Sequence, residues 1–328
     1  IEGSVRRKDA GLRIAAQLVS TDNAIQLWSG YYDRDVDDSS RAHDDLCREM
    51  TESLGTELTR AEMELAQGKP QSEWGAWELF QQAKGSLQFR GWNIKAFEET
   101  VDFLRRAIEL DPEFAEAHAF LALVIALGHW SRVYPDYDAV LDEVNAEVEQ
   151  AIELAPGSSE VLGYAGCALS DIGHGDRGIP IIERALDINP SNAQAHAALG
   201  ASMVNAGNFA EGIEHLTYAI KLSPSNPGLA LWCVVLSLAE SGLGNWEKGL
   251  EWSHVSLKLD SRYFMAHLAT AVAMLVSGDK QAAQAALSQA KQFNPDLSES
   301  AIQSMIGKQS WALMASEGLS LPLSLIHI

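Results

Sequence analysis

The sequence has little positive charge for its length. Its 328 residues include 24 lysines and arginines against 45 aspartates and glutamates, which gives a formal net charge of −21. Proteins bind nucleic acids and anionic membranes through lysine and arginine, so both partners are expected to be repelled by a chain of this balance. We therefore predict that this region binds neither nucleic acid nor membrane.

Cysteine and long apolar runs are also scarce. Cys47, Cys167 and Cys233 are odd in number and far apart, and no Cys-x-x-Cys pair occurs. This pattern argues against a disulfide framework or a structural zinc site and favours a reducing, cytoplasmic location. The longest apolar runs, such as residues 229–239, are too short to cross a bilayer. The apolar fraction of 47% nevertheless predicts a folded chain.

What the sequence does contain is a repeated hexapeptide. AIELAP at residues 151–156 returns as ALDINP at residues 185–190 and as AIKLSP at residues 219–224, so its prolines are equally spaced. Similar hexapeptides occur at residues 107–112, 256–261 and 290–295. A constant period of about 34 residues indicates stacked helix pairs. We predict about six pairs, ending near residues 112, 156, 190, 224, 261 and 295.

Two spacings in this series exceed the common period. Pro112 and Pro156 are 44 residues apart, and we assign the ten extra residues to a loop at residues 130–136, between the two helices of one pair. Pro224 and Ser261 are 37 residues apart, and we assign the three extra residues to the glycine-rich stretch at residues 242–245.

Small residues keep the phase of the repeat. Alanine recurs where the second helix of a pair crosses its neighbour, glycine where the first helix packs closely, and proline where the second helix ends. Gly173, Gly207 and Gly278 are predicted to end first helices in the left-handed conformation. The residues of this packing signature are Ala107, Pro112, Ala151, Pro156, Gly166, Ala185, Pro190, Gly200, Ala219, Pro224, Ala290 and Pro295.

This signature resembles that of the tetratricopeptide repeat family. The resemblance implies a mainly α fold, a helix-turn-helix solenoid whose first helices line a concave groove for a peptide or protein. Transferred to this sequence, the groove candidates are Glu116, Ala119, Leu123, Glu160, Gly163, Cys167, Gln194, Ala197, Ala201, Asn205, Leu268 and Val272. Co-chaperone members hold a C-terminal carboxylate with Lys, Arg and Asn, and only Asn205 matches them here. A groove filled by the chain itself is the alternative to a peptide site.

The first residues have a different pattern. Residues 2–7, 12–20 and 24–32 are predicted to form three short strands, and a long helix is predicted from Ser39 or Ser40 to about Ala66. The stretches EGSVRR, RIAAQL and LWSGYYDR resemble the second half of the TolB-like α/β domain. A partial α/β segment at residues 1–68 is therefore expected to precede the helical array.

We place the array at residues 69–306, with a further helix at residues 298–306, and a tail at residues 307–328. Residues 323–328 match the translation of a transposon-based sequencing adapter. We interpret them as read-through, and we expect the sequence to be a fragment.

The sequence offers little catalytic chemistry. His118, His196 and His267 occupy the same position in three repeats, but stacked repeats hold equivalent residues about 10 Å apart. One metal ion needs ligands at about 2 Å, so we interpret these histidines as packing residues. The sequence contains no nucleophile elbow, phosphate-binding glycine loop or pair of metal-binding carboxylates. We predict no catalytic, metal or cofactor site.

The sequence thus favours a non-catalytic interaction module, the regulatory part of a bacterial signalling protein that binds a peptide or protein. A TolB-like segment followed by such an array resembles the C-terminal region of class III adenylate/guanylate cyclases. The same pairing follows winged-helix DNA-binding domains and serine/threonine kinase domains. The alternatives are therefore a fragment of a cyclase, a fragment of a winged-helix regulator, or a scaffold without an output domain. A homodimer is expected only if the parent protein is a cyclase.

Overall fold

The computed structural model describes residues 2–8, 11–19, 26–35, 70–130, 134 and 136–316. Strands β1 (Glu2–Lys8), β2 (Gly11–Val19) and β3 (Gln26–Asp35) form an antiparallel sheet in the order β1-β2-β3, which confirms the three predicted strands. Arg13 on β2 lies opposite Asp33 on β3, and their side chains form an ion pair at 2.5 Å. The helix predicted at residues 39–66 lies outside the described residues.

Six helix pairs follow, as the repeat period predicts. Within each pair the two helices pack together, and first helices also contact one another from the second pair to the sixth. The pairs are α1 (Ala76–Arg90) with α2 (Ile94–Leu110), α3 (Ala115–Trp130) with α4 (Tyr137–Leu154), α5 (Ser159–Asp171) with α6 (Gly175–Ile188), α7 (Ala193–Asn205) with α8 (Phe209–Leu222), α9 (Leu229–Gly242) with α10 (Trp246–Leu259), and α11 (Phe264–Val276) with α12 (Lys280–Phe293).

A last helix, α13 (Glu299–Ser316), follows the sixth pair. It begins where the sequence predicts a terminal helix but continues ten residues past the predicted end at residue 306. Ala301, Ile302 and Met314 are buried along its length, so its apolar side also contributes to the core. In the part of the chain that the structure describes, no helix is long and apolar enough to cross a membrane.

The helix ends follow the local sequence. Asn93, Ser158 and Asn192 precede helices and accept hydrogen bonds from backbone N–H groups in the first turn. The glycines at positions 173, 207 and 278 have φ values of 90°, 87° and 88°, which confirms the predicted left-handed ends of the first helices.

The ten-residue insertion in the second pair is only partly a loop. The connection between α3 and α4, residues 131–136, has six residues where the next pair has three. The other extra residues lengthen the helices, because α3 and α4 have 16 and 18 residues where α5 and α6 have 13 and 14. The insertion therefore makes this pair longer than its neighbours.

The three-residue insertion lies elsewhere than predicted. Residues 243–245 form the same three-residue turn as in the neighbouring pairs, and Gly244 has the same left-handed backbone as Gly207. The extra residues instead lie in the connection at residues 223–228, which has six residues where the preceding one has four, and in α9, which is one residue longer than α7. The glycine-rich turn is thus an ordinary member of the series.

Close packing explains the recurring small residues. A Cβ atom on Gly166 would lie 2.7 Å from the Ile182 side chain and 2.8 Å from the Gly178 carbonyl oxygen, both on the second helix of the pair. Gly200 faces equivalent atoms of Gly212 and Leu216, each at 2.9 Å. The signature alanines are fully buried, namely Ala107, Ala151, Ala185, Ala219 and Ala290. At these positions a larger side chain would meet the neighbouring helix.

We predict that Gly166→Ala lowers the free energy of unfolding by about 1–3 kcal/mol, because the new methyl group overlaps backbone that cannot move cheaply. Gly157→Ala is the matched control, since its Cβ would meet no atom within 4 Å. Urea denaturation of the two variants checks the prediction. Equal loss of stability in both would contradict the packing explanation.

Candidate binding groove

First helices of five successive pairs surround one cavity. Its volume is about 90 Å³, and its wall is formed mainly by α1, α3, α5, α7 and α9. Most of the wall is apolar, as at Leu127 and Trp232, and the polar side chains that reach it come from α1, α5 and α7 and from the connection before α9. This is the arrangement that the tetratricopeptide pattern predicts for a groove.

Half of the predicted groove residues line this cavity together. They are Leu123, Cys167, Gln194, Ala197, Ala201 and Asn205. Glu160 is exposed and lies beside the cavity, with its Oε1 atom 4.0 Å from the Nζ atom of Lys84, a lining residue. Burial raises the pKa of the Tyr164 hydroxyl in the wall, and Glu160 and, to a smaller extent, the half-buried Glu116 on α3 raise it further. Both glutamates thus flank the cavity.

Four predicted groove residues have a different environment. Leu268 and Val272 are fully buried on α11, which packs against α9, α10, α12 and α13. Ala119 is fully buried beside Ala151 and Val161, and Gly163 is buried against the side chain of Asn192. The groove prediction was wrong at these positions, where the chain covers its own surface.

Asp171 is the main residue that the sequence analysis missed. It lines the cavity at the end of α5, one helical turn after Cys167. It also precedes Asn205 by one repeat period, so the two occupy the same position in successive repeats. Because Asn205 was among the predicted residues, the repeat period alone could have identified Asp171.

Asp171 is a carboxyl group without a cationic partner among the described residues. Its Oδ2 atom accepts a hydrogen bond from Cys167 Sγ at 3.6 Å. Burial raises the pKa of Asp171 to about 7, against a smaller opposing effect of the Cys167 thiol. Burial and the neighbouring Asp171 also raise the pKa of Cys167, so its thiol stays protonated and unreactive.

We predict that Asp171→Asn stabilises the protein at pH 8 but not at pH 4. The folded carboxyl keeps its proton up to about pH 7, whereas the unfolded one loses it near 3.8, so stability falls as the pH rises between these values. Removing the charge should therefore raise the free energy of unfolding at pH 8 by up to about 4 kcal/mol. Thermal unfolding at the two pH values measures this, with Asp142→Asn on the exposed side of α4 as control. A gain at pH 4 as large as at pH 8 would refute it.

The turn between α1 and α2 closes one side of the groove. The backbone N–H of Trp92 donates to Asp260 Oδ2 at 3.2 Å, and its indole N–H donates to the Pro227 carbonyl oxygen at 3.2 Å. The indole also contacts the Tyr263 ring, with centroids 5.7 Å apart. The first pair therefore touches the connections that follow the fourth and fifth pairs. We call the contact of Trp92 with Pro227, Asp260 and Tyr263 the closing contact.

We predict that Trp92→Ala costs about 3–5 kcal/mol of stability and enlarges the molecule, because it removes a buried ring and the closing contact together. Urea denaturation and small-angle X-ray scattering measure the two effects. Trp77→Ala is the control, since Trp77 is 49% exposed on α1 and lies outside the closing contact. An unchanged radius of gyration in Trp92→Ala would contradict a closed groove.

The three equivalent histidines share one structural contact. In each, Nε2 lies 3.0 Å from the backbone carbonyl oxygen six residues earlier, in the connection that follows the preceding second helix. The histidines at positions 118, 196 and 267 thus bind the carbonyl oxygens of Pro112, Pro190 and Ser261. In the described ranges, no group of three or more His, Cys, Asp or Glu side chains is placed to hold a metal ion. The recurrence of histidine is explained by this hydrogen bond.

Comparison with known proteins agrees with the geometry. The sequence profile described as tetratricopeptide repeat matches residues 165–227, the regular centre of the array. Residues 165–227 therefore carry the tetratricopeptide repeat pattern, and the six helix pairs of the array have the corresponding fold. Such repeats mediate protein–protein interaction and are generally non-enzymatic. The TolB-like resemblance of the segment at 1–66 remains a prediction.

Several solved structures and one curated protein are similar to this chain. Cut9-Hcn1 of the APC/C aligns with a TM-score of 0.55 and 14% identity over 83% of this chain and 56% of that chain, a likeness of fold alone. YrrB, "a TPR protein with an unusual peptide-binding site", aligns with a TM-score of 0.38 and 18% identity over 65% of this chain and 97% of that chain. "Putative adenylate cyclase 3" of Rhizobium meliloti (strain 1021) is 31% identical over 140 residues, which cover 42% of this chain and 23% of that relative.

Proposed function

We propose that the tetratricopeptide groove binds a protein or peptide segment. The observation that carries this proposal is the cavity at the centre of the array, which first helices of five pairs surround and whose apolar wall holds a few polar side chains. Binding sites commonly combine an apolar wall with a few polar groups that orient the ligand. The predicted groove residues on α11 are buried, so a partner cannot reach them. The cavity is the part of the predicted groove that a partner could enter.

The test is affinity capture with a groove variant and a matched control. Gln194→Arg places a long charged side chain in the cavity wall, and Gln292→Arg makes the same change at an exposed position of α12. We expect proteins retained by the unmodified chain to be lost with Gln194→Arg and kept with Gln292→Arg. Retention by both variants would place the binding surface outside the groove.

We infer further that this region is the cytoplasmic regulatory part of a longer bacterial signalling protein. Its support is the similarity to the Rhizobium meliloti relative, of which the aligned segment covers 23%. A class III adenylate/guanylate cyclase is the parent that this similarity favours, and a cyclase parent would bring a homodimer with it. A winged-helix regulator or a protein kinase is the alternative parent, from the order of the predicted segments.

The reading frame upstream of Ile1 decides between these parents. We expect it to encode an output domain, with a cyclase domain first among the alternatives. The purified chain itself should produce no cyclic nucleotide from ATP or GTP, because an interaction module has no catalytic centre. Cyclic-nucleotide synthesis by this chain alone would overturn the interaction-module proposal.

A further inference from the structure

One carboxyl group in the cavity wall has no ion-pair partner among the described residues. Among the described residues, Asp171 has the Cys167 thiol as its hydrogen-bond partner, and no amine or guanidinium forms an ion pair with it. Lys84 lines the same cavity but is engaged elsewhere, with its Nζ atom 4.0 Å from Glu160 and 5.5 Å from the centre of the Phe80 ring. A buried carboxylate is costly unless a cation or hydrogen-bond donors compensate it.

The size of the cavity sets the size of its occupant. On this scale one water molecule needs about 10–15 Å³, so a cavity of about 90 Å³ has room for roughly six waters or one long side chain. A single long side chain from an extended segment fits a cavity of this volume. Leu123, Leu127 and Trp232 line it and would cover an aliphatic stem.

The charges around the cavity favour a guest side chain that is positively charged. Asp171 lines it, and Glu116 and Glu160 flank it, so carboxylates outnumber Lys84 there by three to one. An anionic side chain would meet Asp171 in a partly desolvated site, where like charges repel more strongly than in water. The amide groups of Gln194 and Asn205 carry oxygen atoms that can accept further N–H bonds.

We propose that the cavity receives a lysine or arginine side chain of a bound peptide, with Asp171 as the counter-ion of its charged end. This inference rests on the proposed function, because it specifies the ligand of the same groove. The hydrocarbon stem of the guest lies along the apolar wall, and its ammonium or guanidinium group reaches the Asp171 carboxylate. Co-chaperone members of the family bind a C-terminal carboxylate, so the charge preference proposed for this cavity is the opposite.

The test uses four fluorescein-labelled, alanine-based decapeptides that differ only at the central position, which is lysine, arginine, norleucine or glutamate. Binding to the full chain is measured at pH 8 by fluorescence anisotropy. We expect the lysine and arginine peptides to bind at least tenfold more tightly than the norleucine peptide, which has the apolar stem without the charge. The glutamate peptide should bind most weakly.

Two variants test whether Asp171 causes the preference for lysine and arginine peptides. Asp171→Asn keeps the shape of the side chain and should reduce the affinity for the lysine peptide to that for the norleucine peptide, which should itself be unchanged. Asp142→Asn, the same change on the exposed side of α4, should leave all four affinities as they are. Circular dichroism confirms that both variants are folded.

The outcomes separate this inference from the proposed function. If all four peptides bind equally, or if Asp171→Asn keeps the preference for lysine, the cationic guest is refuted while groove binding stands. If no peptide binds and Gln194→Arg also fails to change protein capture, both are refuted. If no peptide binds but capture is lost in Gln194→Arg, the groove takes a partner of another kind, and the lysine or arginine guest is again refuted.

Discussion

One helix pair of this length cannot bury its own apolar side, and the rest of the structure depends on that constraint. Each pair must be covered by the next, so the same small residues recur wherever helices approach closely. Gly166 and Gly200 permit that approach in adjacent pairs, and Ala185 and Ala219 sit fully buried on the second helices. The repeat period of the sequence therefore follows from the packing of each helix pair against the next.

The period also arranges the groove. Residues one period apart occupy equivalent places on neighbouring first helices, so Cys167 pairs with Ala201, and Asp171 with Asn205. All four line the cavity. At packing positions, equivalent residues of successive repeats are of the same type, whereas at groove positions they differ. Because the groove residues can differ while the packing residues stay the same, a repeat scaffold can bind a particular ligand without a change of fold.

The sequence predicted this frame well because its determinants are local. The six pairs, the three strands and the left-handed glycines follow from residues close together in the chain. The closing contact could not be predicted, because it joins Trp92 to Pro227 and Asp260 across 135 and 168 residues. Its position depends on the curvature of the whole stack. The extra residues at 223–228, which the sequence analysis assigned to another turn, form the connection that supplies the Pro227 carbonyl oxygen. The burial of Leu268 on α11, which packs against α9, α10, α12 and α13, is a tertiary effect of the same kind.

The central claim is that the groove contains a partly buried carboxyl group that binds the cationic side chain of a ligand. The most direct measurement is a pH titration of the Asp171 carboxyl carbon by nuclear magnetic resonance, with and without the lysine peptide. The structure predicts a pKa of about 7 in the free protein, because burial disfavours the charged form, and a lower pKa when the cation is bound. An ordinary aspartate pKa near 4 in the free protein would contradict the account.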